Sequence, residues 1–207
     1  MYSLILFLSF FSNLCHGYKL CVFGATSGLG RELVYQASLD RNMSVLALSG
    51  TSRHLTVPCR VNSFQDIQNQ PPFQNPNMIR GNYWEDLSSY DYETAIFTTQ
   101  SAPFQDDYSD TLMAKVLPRL PPSCKHIVLV SAHDCTADIT NNWHNAKKNQ
   151  ETLLHLKVFE QKYPYLKKTI FRPRALTYGS TTLPSVTRQE FAEEILQCIL
   201  TNDVDND

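Results

Sequence analysis

Short apolar runs recur along the chain, and the stretches between them carry apolar residues at helical spacing. A short continuous apolar run predicts a buried strand, whereas a spacing of three and four residues predicts an amphipathic helix. The runs that predict strands are Lys19–Phe23, Val45–Ser49, Glu93–Thr99 and His126–Val130. Helical spacing follows Gly28 and recurs within Tyr108–Leu120, where Pro118 is expected to interrupt the helix. This alternation predicts an α/β fold with a mostly parallel sheet.

Three glycines join the first predicted strand to the first predicted helix. Gly24 lets the chain turn sharply, Gly28 keeps side-chain atoms away from a pyrophosphate, and Gly30 lets the helix pack close to the strand. Phosphate groups bind well at a helix N-terminus, because its N–H groups and the helix dipole favour negative charge. A structural turn is the alternative, but the flanking strand and helix favour a dinucleotide site. That site would be formed by Gly24, Thr26, Ser27, Gly28, Leu29 and Gly30.

The spacing Gly24-x-x-x-Gly28-x-Gly30 resembles the first turn of the short-chain dehydrogenase/reductase family. Ser131, directly after His126–Val130, resembles the family's catalytic serine, and a hydroxyl that caps the strand end is the alternative. Arg172-Pro173 and Val186–Ala192 resemble segments of the extended and atypical members. From Lys19 onward the chain therefore resembles a small, atypical member, similar to the NAD(P)-binding branch that includes flavin/biliverdin reductases and NmrA-like regulators.

The resemblance implies a doubly wound, mostly parallel Rossmann sheet with the strand order 3-2-1-4-5-6, in one domain that covers residues 18–207. It also places the third strand at Met78–Asn82, a helix at Asn142–Leu154, and the sixth strand with its exit at Lys168–Leu176. Ligands of such sheets bind at the carboxyl ends of the strands. The stretch Asn62–Asn77, rich in Asn, Gln and Pro, is expected to be a surface loop.

The end of the second strand bears on the choice between NAD and NADP. An Asp or Glu there would bind the ribose 2′-hydroxyl and repel a 2′-phosphate, but Ser49–Arg53 contains neither. Arg53 adds a positive charge, so NADP is favoured over NAD, unless Arg53 is an ordinary solvated residue. By the resemblance, Asn82 replaces an Asp near the adenine, and Thr99 lies beside the cofactor at the end of the fourth strand.

The family places a Tyr-x-x-x-Lys pair on the helix after the catalytic serine, because a four-residue step puts both side chains on one face. No tyrosine occupies that position here. One register sets Trp143 against Lys147, and Glu151 four residues later matches a feature of the extended and atypical branches. The other register sets His144 against Lys148. We favour the first register.

A literal Tyr-x-x-x-Lys also occurs at Tyr163–Lys167, far beyond Ser131. Pro164 bars the helical turn that would bring Tyr163 and Lys167 onto one face. This second match is therefore interpreted as a coincidence of sequence without catalytic meaning.

Two classes of function are compatible with a site that lacks the tyrosine. As an enzyme, the protein would pass hydride from NADPH to a small acceptor that needs little help with protonation, such as a flavin, a quinone or another conjugated molecule. As a binding module, it would sense the NADP(H) ratio and present a changed surface to a partner. The oxidoreductase is favoured, and the family implies a homodimer through the helices that flank strands four and five.

Residues 1–17 are expected to lie outside the fold. Met1–Phe11 is apolar and uncharged, but it is shorter than the ~20 residues that span a bilayer. It resembles a signal-peptide core, with Cys15 and Gly17 small enough for the positions before a cleavage site. The alternative is a hydrophobic segment that tethers the domain to a membrane. The expected location is the secretory pathway or a membrane if this segment acts as a signal, and the cytoplasm otherwise.

Composition narrows the range of partners. The chain has 207 residues, of which 43% are hydrophobic, enough to bury one sizeable core. A net charge of −2 gives no basic surface for nucleic acid. The six cysteines include no C-x-x-C pair, so a zinc site is not expected. Cys21 and Cys198 are predicted to be core thiols.

Overall fold

The computed structural model describes residues 17–50, 54–58, 70–98, 111–131, 142–173, 176–177 and 186–204, without the side chains of 142–146, 177 and 202–204. Six strands within these ranges form one sheet in which all neighbours are parallel. They are β1 (Tyr18–Phe23), β2 (Met43–Ser49), β3 (Met78–Asn82), β4 (Thr94–Phe97), β5 (His126–Val130) and β6 (Lys167–Phe171). The order β3-β2-β1-β4-β5-β6 confirms the predicted Rossmann topology of a single α/β domain.

Helices cover both faces of this sheet. They are α1 (Gly28–Leu39), α2 (Leu112–Val116), α3 (Asn142–His155), α4 (Lys157–Lys162) and α5 (Arg188–Val204). Helices α1 and α5 contact each other on one face, and the other three pack on the opposite face. Two short parallel strands, β7 (Leu176–Thr177) and β8 (Val186–Thr187), precede α5. Within the described ranges, none of these helices is long and apolar enough to cross a membrane.

Alternate residues of each strand enter two separate cores. In β1, Leu20 and Val22 pack in the core with α1 and α5, whereas Cys21 and Phe23 pack in the core on the other face. All four side chains are buried. A parallel sheet covered by helices on both faces buries both sides of its central strands, which explains why β1, β2, β4 and β5 are mostly apolar. The edge strands β3 and β6 are less buried and carry Arg80, Lys167 and Lys168.

The end of β4 differs from the expectation, whereas the interruption expected at Pro118 is confirmed. β4 ends at Phe97 rather than at Thr99, which lies outside the described residues. The helix expected at Tyr108–Leu120 is described as α2 from Leu112 and becomes a 3₁₀ turn at Leu117–Arg119. This turn contains Pro118, which has no N–H to donate and whose ring displaces the carbonyl of the preceding turn. The α-helix therefore ends before the proline.

The literal Tyr-x-x-x-Lys match does not lie on one helix, as its proline predicted. Tyr163 directly follows α4 as its C-cap, and Lys167 begins β6, with a turn between them. The two side chains therefore do not share a helix face. β6 ends at Phe171. Leu176, the last residue of the stretch expected to form the strand and its exit, begins β7.

The described cysteines are free thiols that differ in burial. Cys21 is fully buried, and this burial raises the pKa of its thiol well above the usual range. Cys198 is only half-buried, so the prediction of a core thiol is wrong at this position. The buried face of α5 passes instead through Ile195 and Ile199. Among the described residues, no three His, Cys, Asp or Glu side chains are grouped so that they could hold a metal ion.

The polar stretch Asn62–Asn77 is described from residue 70 onward. Pro72 forms an isolated antiparallel bridge with Thr56, and the Phe73 N–H donates to the Leu55 carbonyl at 2.8 Å. The Phe73 ring packs against Tyr35 of α1 with the ring centroids 5.0 Å apart. This end of the predicted surface loop is therefore attached to the fold.

Thr187 and Glu190 cap the start of α5 reciprocally. The N–H and the hydroxyl of Thr187 donate to Glu190 Oε2 at 3.0 and 2.8 Å, and the Glu190 N–H donates to Thr187 Oγ1 at 3.1 Å. The bond from the Thr187 N–H, followed by the bond from its hydroxyl, holds the pKa of the Glu190 carboxyl below its usual value. This arrangement is a capping box, which satisfies N–H groups that the helix itself leaves without acceptors.

We expect Thr187→Ala to lower the free energy of unfolding by about 1 kcal/mol, because it removes the cap. Thr201→Ala is the matched control, since the Thr201 hydroxyl only donates back to carbonyls of the same helix at Gln197 and Cys198. Because the folded pKa of Glu190 is depressed, its contribution is present above the unfolded pKa and is lost as the pH falls through the folded pKa. Urea denaturation at neutral and acidic pH measures both effects. Equal losses in the two variants would contradict the capping role.

Candidate functional site

The carboxyl ends of the six strands meet along one side of the sheet, called here the carboxyl edge. The residues that follow these ends are Gly24, Gly50, Tyr83, Thr98, Ser131 and Arg172, in the order β1 to β6. Three predicted site residues, Gly24, Asn82 at the end of β3 and Ser131, therefore lie on this edge. In open parallel α/β sheets, ligands bind in the crevice outside these strand ends.

The glycine turn is attached to β2 by two hydrogen bonds. The N–H groups of Gly24 and Ala25 both donate to the Leu48 carbonyl at 3.0 Å. Gly24 has a φ of 89°, in the left-handed region that favours glycine. The Ser27 N–H donates back to the Gly24 carbonyl at 2.8 Å and closes the turn. The chain therefore reverses from β1 into α1 between Gly24 and Ser27.

Ser27 caps the N-terminus of α1. Its Oγ accepts a hydrogen bond from the Gly30 N–H at 3.0 Å. A helix leaves its first N–H groups without acceptors inside the helix, and here those groups include Gly28 and Leu29. The helix start therefore suits a pyrophosphate, because N–H donors and the helix dipole both favour negative charge.

Gly30 lies directly against the glycine turn. A Cβ at this position would be 2.1 Å from the Gly24 carbonyl oxygen and 2.7 Å from Thr98 Oγ1. The first of these neighbours is backbone, which has no flexible end that could move aside. Helix α1 therefore passes β1 at a distance that only glycine allows, which is the close approach expected from the glycine spacing.

Thr98 links β4 to the glycine turn, a role that sequence reasoning missed. Its hydroxyl donates to the carbonyls of Phe23 and Gly24 at 3.0 and 3.3 Å, and it lies 3.2 Å from Ser27 Oγ. Thr99, the residue that was expected here, lies outside the described residues. The position of Thr98 in the sequence could have indicated this role. Because β4 pairs in parallel with β1, the residue after β4 lies beside the turn after β1.

Arg31, which directly follows Gly30 in α1, also contacts the glycine turn. Sequence reasoning missed this contact. Its Nη2 donates to the Thr26 carbonyl at 3.2 Å, whereas its Nε is buried and has no acceptor among the described residues. A guanidinium in this position adds positive potential beside the helix N-terminus. Arg53, the cation expected after β2, lies outside the described residues.

The ends of β2 and β3 form one side of the carboxyl edge. Ser49, the last residue of β2, is buried. A Cβ at Gly50 would be 2.7 Å from the Tyr83 ring, so this ring lies directly against Gly50. Asn82, which was expected near the adenine, accepts a hydrogen bond at Oδ1 from the Trp84 N–H at 3.1 Å. The Asn82 side chain therefore shapes the turn that follows β3.

Strand β5 and helix α3 bring Ser131 and Lys147 together. Lys147 is buried, and its Nζ donates to the carbonyl of Val130 at 2.5 Å, one residue before Ser131. Ser131 is also buried, and its N–H donates to the Phe171 carbonyl at 2.8 Å. Its Oγ has no hydrogen-bond partner among the described residues. A buried hydroxyl without a partner is unfavourable, so this oxygen is a candidate contact for a ligand.

Lys147 and Lys148 face in different directions. Lys147 is buried against the end of β5, whereas Lys148 is exposed. Residues four positions apart share a helix face, so backbone position 143 shares the face of Lys147, and position 144 shares that of Lys148. The side chains of Trp143 and His144 themselves lie outside the described part of the chain.

Glu151 and Arg172 join α3 to the end of β6. Arg172 Nε donates to Glu151 Oε1 and Oε2 at 3.0 and 3.1 Å, and Nη2 donates to Oε2 at 2.7 Å. The Glu151 side chain is only 8% exposed. The Arg172 side chain is 41% exposed, so the pair is buried only on the Glu151 side. The bidentate contact joins α3 to the end of β6. Glu151 follows Lys147 by one helical turn, so the pair also holds the face that carries Lys147.

Comparison with known proteins shows a shared fold. No protein-family model matches the chain, and no curated protein matches it in sequence. A short chain dehydrogenase from Burkholderia cenocepacia, solved in complex with NADP, has 15% identity and a TM-score of 0.56, and the match covers 88% of this chain and 84% of that one. A short-chain dehydrogenase/reductase from Vibrio parahaemolyticus has 13% identity and a TM-score of 0.55, with 86% and 91% covered.

The similarity extends to a UDP-glucuronic acid 4-epimerase from Bacillus cereus, solved in complex with NAD. It has 15% identity and a TM-score of 0.52, and the match covers 76% of this chain. This chain spans 57% of the length of that epimerase. These structures show that the chain has the Rossmann fold that they share.

We expect Gly30→Ala to lower the free energy of unfolding by about 3 kcal/mol, because the added Cβ would meet the Gly24 backbone. Gly81→Ala is the matched control, since its Cβ would meet only side-chain atoms, of Leu48, Glu85 and Tyr90, at 2.9, 3.2 and 3.2 Å. Urea denaturation of both variants gives the comparison. A Gly30→Ala variant as stable as Gly81→Ala would show that α1 does not depend on the close approach.

Proposed function

We propose that the protein is an NAD(P)-dependent oxidoreductase that binds its dinucleotide along the carboxyl edge. The observation that carries this proposal is the buried Lys147 amine at the end of β5, where it bonds the carbonyl before Ser131. The buried Ser131 hydroxyl has no hydrogen-bond partner within the described part of the chain. The glycine turn supports the fit of the cofactor, through the capped helix start at Ser27 and the close approach at Gly30. Proteins of the same fold solved with NADP or NAD agree with it.

NADP is the proposed cofactor, and NAD is the alternative. Neither Ser49 nor Gly50 carries a carboxylate that would repel a 2′-phosphate. Arg53 follows in the sequence, and Arg31 adds a second cation beside the glycine turn. Positive potential on this side of the edge favours the form of the cofactor with the additional phosphate.

Lys147 and Ser131 have different proposed roles. The buried Lys147 amine lies at the end of β5, where it donates to the Val130 carbonyl, and we assign it to the ribose hydroxyls on the nicotinamide side. The Ser131 hydroxyl is assigned to orienting the acceptor. When bound, the nicotinamide supplies or takes the hydride. Trp143 stands where the family has its tyrosine, and an indole N–H donates a hydrogen bond but does not ionise usefully.

The missing phenol favours acceptors that take their proton from water. General acid catalysis contributes typically 10²–10⁴-fold, so its absence costs a carbonyl substrate about 3–5 kcal/mol of barrier. A flavin, a quinone or another conjugated small molecule delocalises the charge that arrives with the hydride and is protonated by solvent. We therefore propose an acceptor of this class. His144 as the acid, with Lys148 beside it, is the competing assignment.

Calorimetry with NADPH and NADH tests the cofactor assignment. We expect NADPH to bind more tightly, and Lys147→Met to weaken its binding about tenfold or more, because a hydrogen bond from a charged donor contributes ~1.5–3 kcal/mol. Lys148→Met is the matched control, since that neighbouring side chain is exposed, and its affinity is expected to stay unchanged. Failure of the wild-type protein to bind either dinucleotide would refute the proposed function.

A diode-array screen of the NADPH-loaded protein against flavins, quinones, tetrapyrroles and carbonyls then identifies the acceptor. Oxidation of NADPH by a conjugated acceptor, with little oxidation by simple carbonyls, is the expected result. Binding without turnover for every acceptor would favour a redox sensor. A large rate loss in His144→Ala with unchanged affinity would favour acid catalysis by histidine.

Ser131→Ala separates a functional hydroxyl from a structural one. We expect its free energy of unfolding to stay unchanged or rise by up to ~1 kcal/mol, because the hydroxyl bonds none of the described residues, while the rate of NADPH oxidation falls. Thr94→Val is the matched control at the opposite end of the sheet, where the buried Thr94 hydroxyl lies 2.6 Å from Tyr18 Oη. That variant is expected to lose about 1 kcal/mol of stability and keep its rate. Destabilisation by Ser131→Ala would indicate a structural role instead.

A further inference from the structure

Arg119 attaches the turn that follows β3 to helix α2. It is the last residue of the 3₁₀ turn that continues α2. Its Nη2 donates to the Tyr83 carbonyl at 2.7 Å, and its Nη1 donates to the Glu85 carbonyl at 3.3 Å. Its Nε donates to the Lys115 carbonyl in α2 at 3.2 Å. One guanidinium therefore joins two carbonyls of the turn to a helix that follows much later in the sequence.

The turn after β3 also contains two hydrogen bonds of its own. The Trp84 N–H donates to Asn82 Oδ1 at 3.1 Å, and the Glu85 N–H donates to the Asn82 carbonyl at 3.2 Å. Both bonds join close neighbours in sequence and do not attach the turn to the rest of the fold. Trp84 and Glu85 are exposed. A segment with exposed side chains and local bonds opens easily unless another element fixes it.

The position of this turn determines the space beside the exit of β2. The Tyr83 ring lies directly against Gly50, and its centroid is 6.2 Å from that of Phe23 in β1. The buried Phe23 ring stacks on Phe97 of β4, with the centroids 4.5 Å apart. Tyr83 is therefore the outer member of a row of rings along the carboxyl edge. It lies on the side of this edge where the adenosine half of the dinucleotide is expected.

We propose that Arg119 is a positioning residue for the adenosine half of the dinucleotide. It acts through the turn, because its bonds to the carbonyls of Tyr83 and Glu85 fix the backbone before the ligand arrives. Binding then does not have to order this segment, and a site that is ordered in advance binds more tightly. This inference rests on the proposed function, since it requires a dinucleotide at the carboxyl edge.

A direct bond from Arg119 to a phosphate group is the alternative. The guanidinium is half-buried, and each of its three nitrogens already donates to a carbonyl. A phosphate group would compete with the bonds that attach the turn. A planar guanidinium can bond several carbonyls in fixed directions, whereas an ammonium is a compact point charge. The arrangement therefore favours positioning over a phosphate contact.

Hydrogen exchange of the free protein tests the effect on the turn. We expect Arg119→Gln to speed the exchange of the Trp84 and Glu85 amides about tenfold or more, because the turn loses bonds from a charged donor. Arg41→Gln is the matched control, since it removes an exposed cation just before β2, at the opposite end of the sheet. Circular dichroism confirms that both variants fold. Equal exchange of these amides in the two variants would overturn the proposal.

Calorimetry with NADPH and NADH then separates positioning from a phosphate contact. We expect Arg119→Gln to weaken the binding of both dinucleotides by the same factor, about tenfold, which is the effect of ordering one backbone residue on binding. Arg119→Lys is expected to weaken both to the same extent, because it keeps the charge but cannot bond three carbonyls at once. Arg41→Gln is expected to keep the wild-type affinities.

The outcomes distinguish this inference from the proposed function. A larger loss for NADPH than for NADH would indicate a direct contact with the 2′-phosphate and overturn the positioning role. Wild-type affinity in Arg119→Lys would show that only the charge matters, which would also overturn it. Unchanged affinity in Arg119→Gln would overturn this inference alone and leave the proposed function in place. A wild-type protein that binds neither dinucleotide would refute both.

Discussion

The approach of α1 to the end of β1 sets the geometry of the carboxyl edge. Gly30 lies so close to the Gly24 carbonyl that a single methyl group would not fit between helix and turn. This contact brings Ser27 and Thr98 together, because both hydroxyls converge on the same turn. A larger residue at position 30 would move the helix start away from β4. The N–H groups of the first helical turn would then no longer point at the crevice where the other strands end.

A second fixed point lies at the other half of the sheet. The Glu151–Arg172 ion pair holds α3 against the end of β6, and Lys147 reaches the end of β5 from the same helix. The two halves of the edge therefore offer different chemistry. The α1 side presents N–H groups and a guanidinium that suit phosphates, and the α3 side presents an amine and a hydroxyl that suit a ribose and an acceptor.

A parallel sheet has two chemically distinct edges because all its strands point in the same direction. One edge collects the residues that follow the strands and the start of α1, and the other collects those that precede the strands and the end of α1. The proposed cofactor site lies at the first of these edges, where the strand ends and the start of α1 meet.

The sequence by itself determined the strands β1, β2, β4 and β5 and the helix α1, because apolar runs and helical spacing are local patterns. The glycine spacing likewise predicted the turn after β1, and Pro164 predicted that Tyr163 and Lys167 do not share a helix. With the family resemblance, the pattern also predicted the strand order. Pro118 likewise predicted the interruption of the helix before Leu120. The half-burial of Cys198 was missed, because it depends on how α5 packs against its neighbours.

Only the tertiary structure decided which polar residues meet. Thr98 and Arg31 contact the glycine turn, Lys147 rather than Lys148 is buried at the end of β5, and Glu151 binds Arg172. Each of these contacts, apart from that of Arg31, joins elements that are distant in sequence. In addition, the direction of a side chain on a helix is fixed only when one face of the helix packs against the sheet. A pattern along the chain identifies residues that suit a site, but strand pairing and helix packing select the ones that reach it.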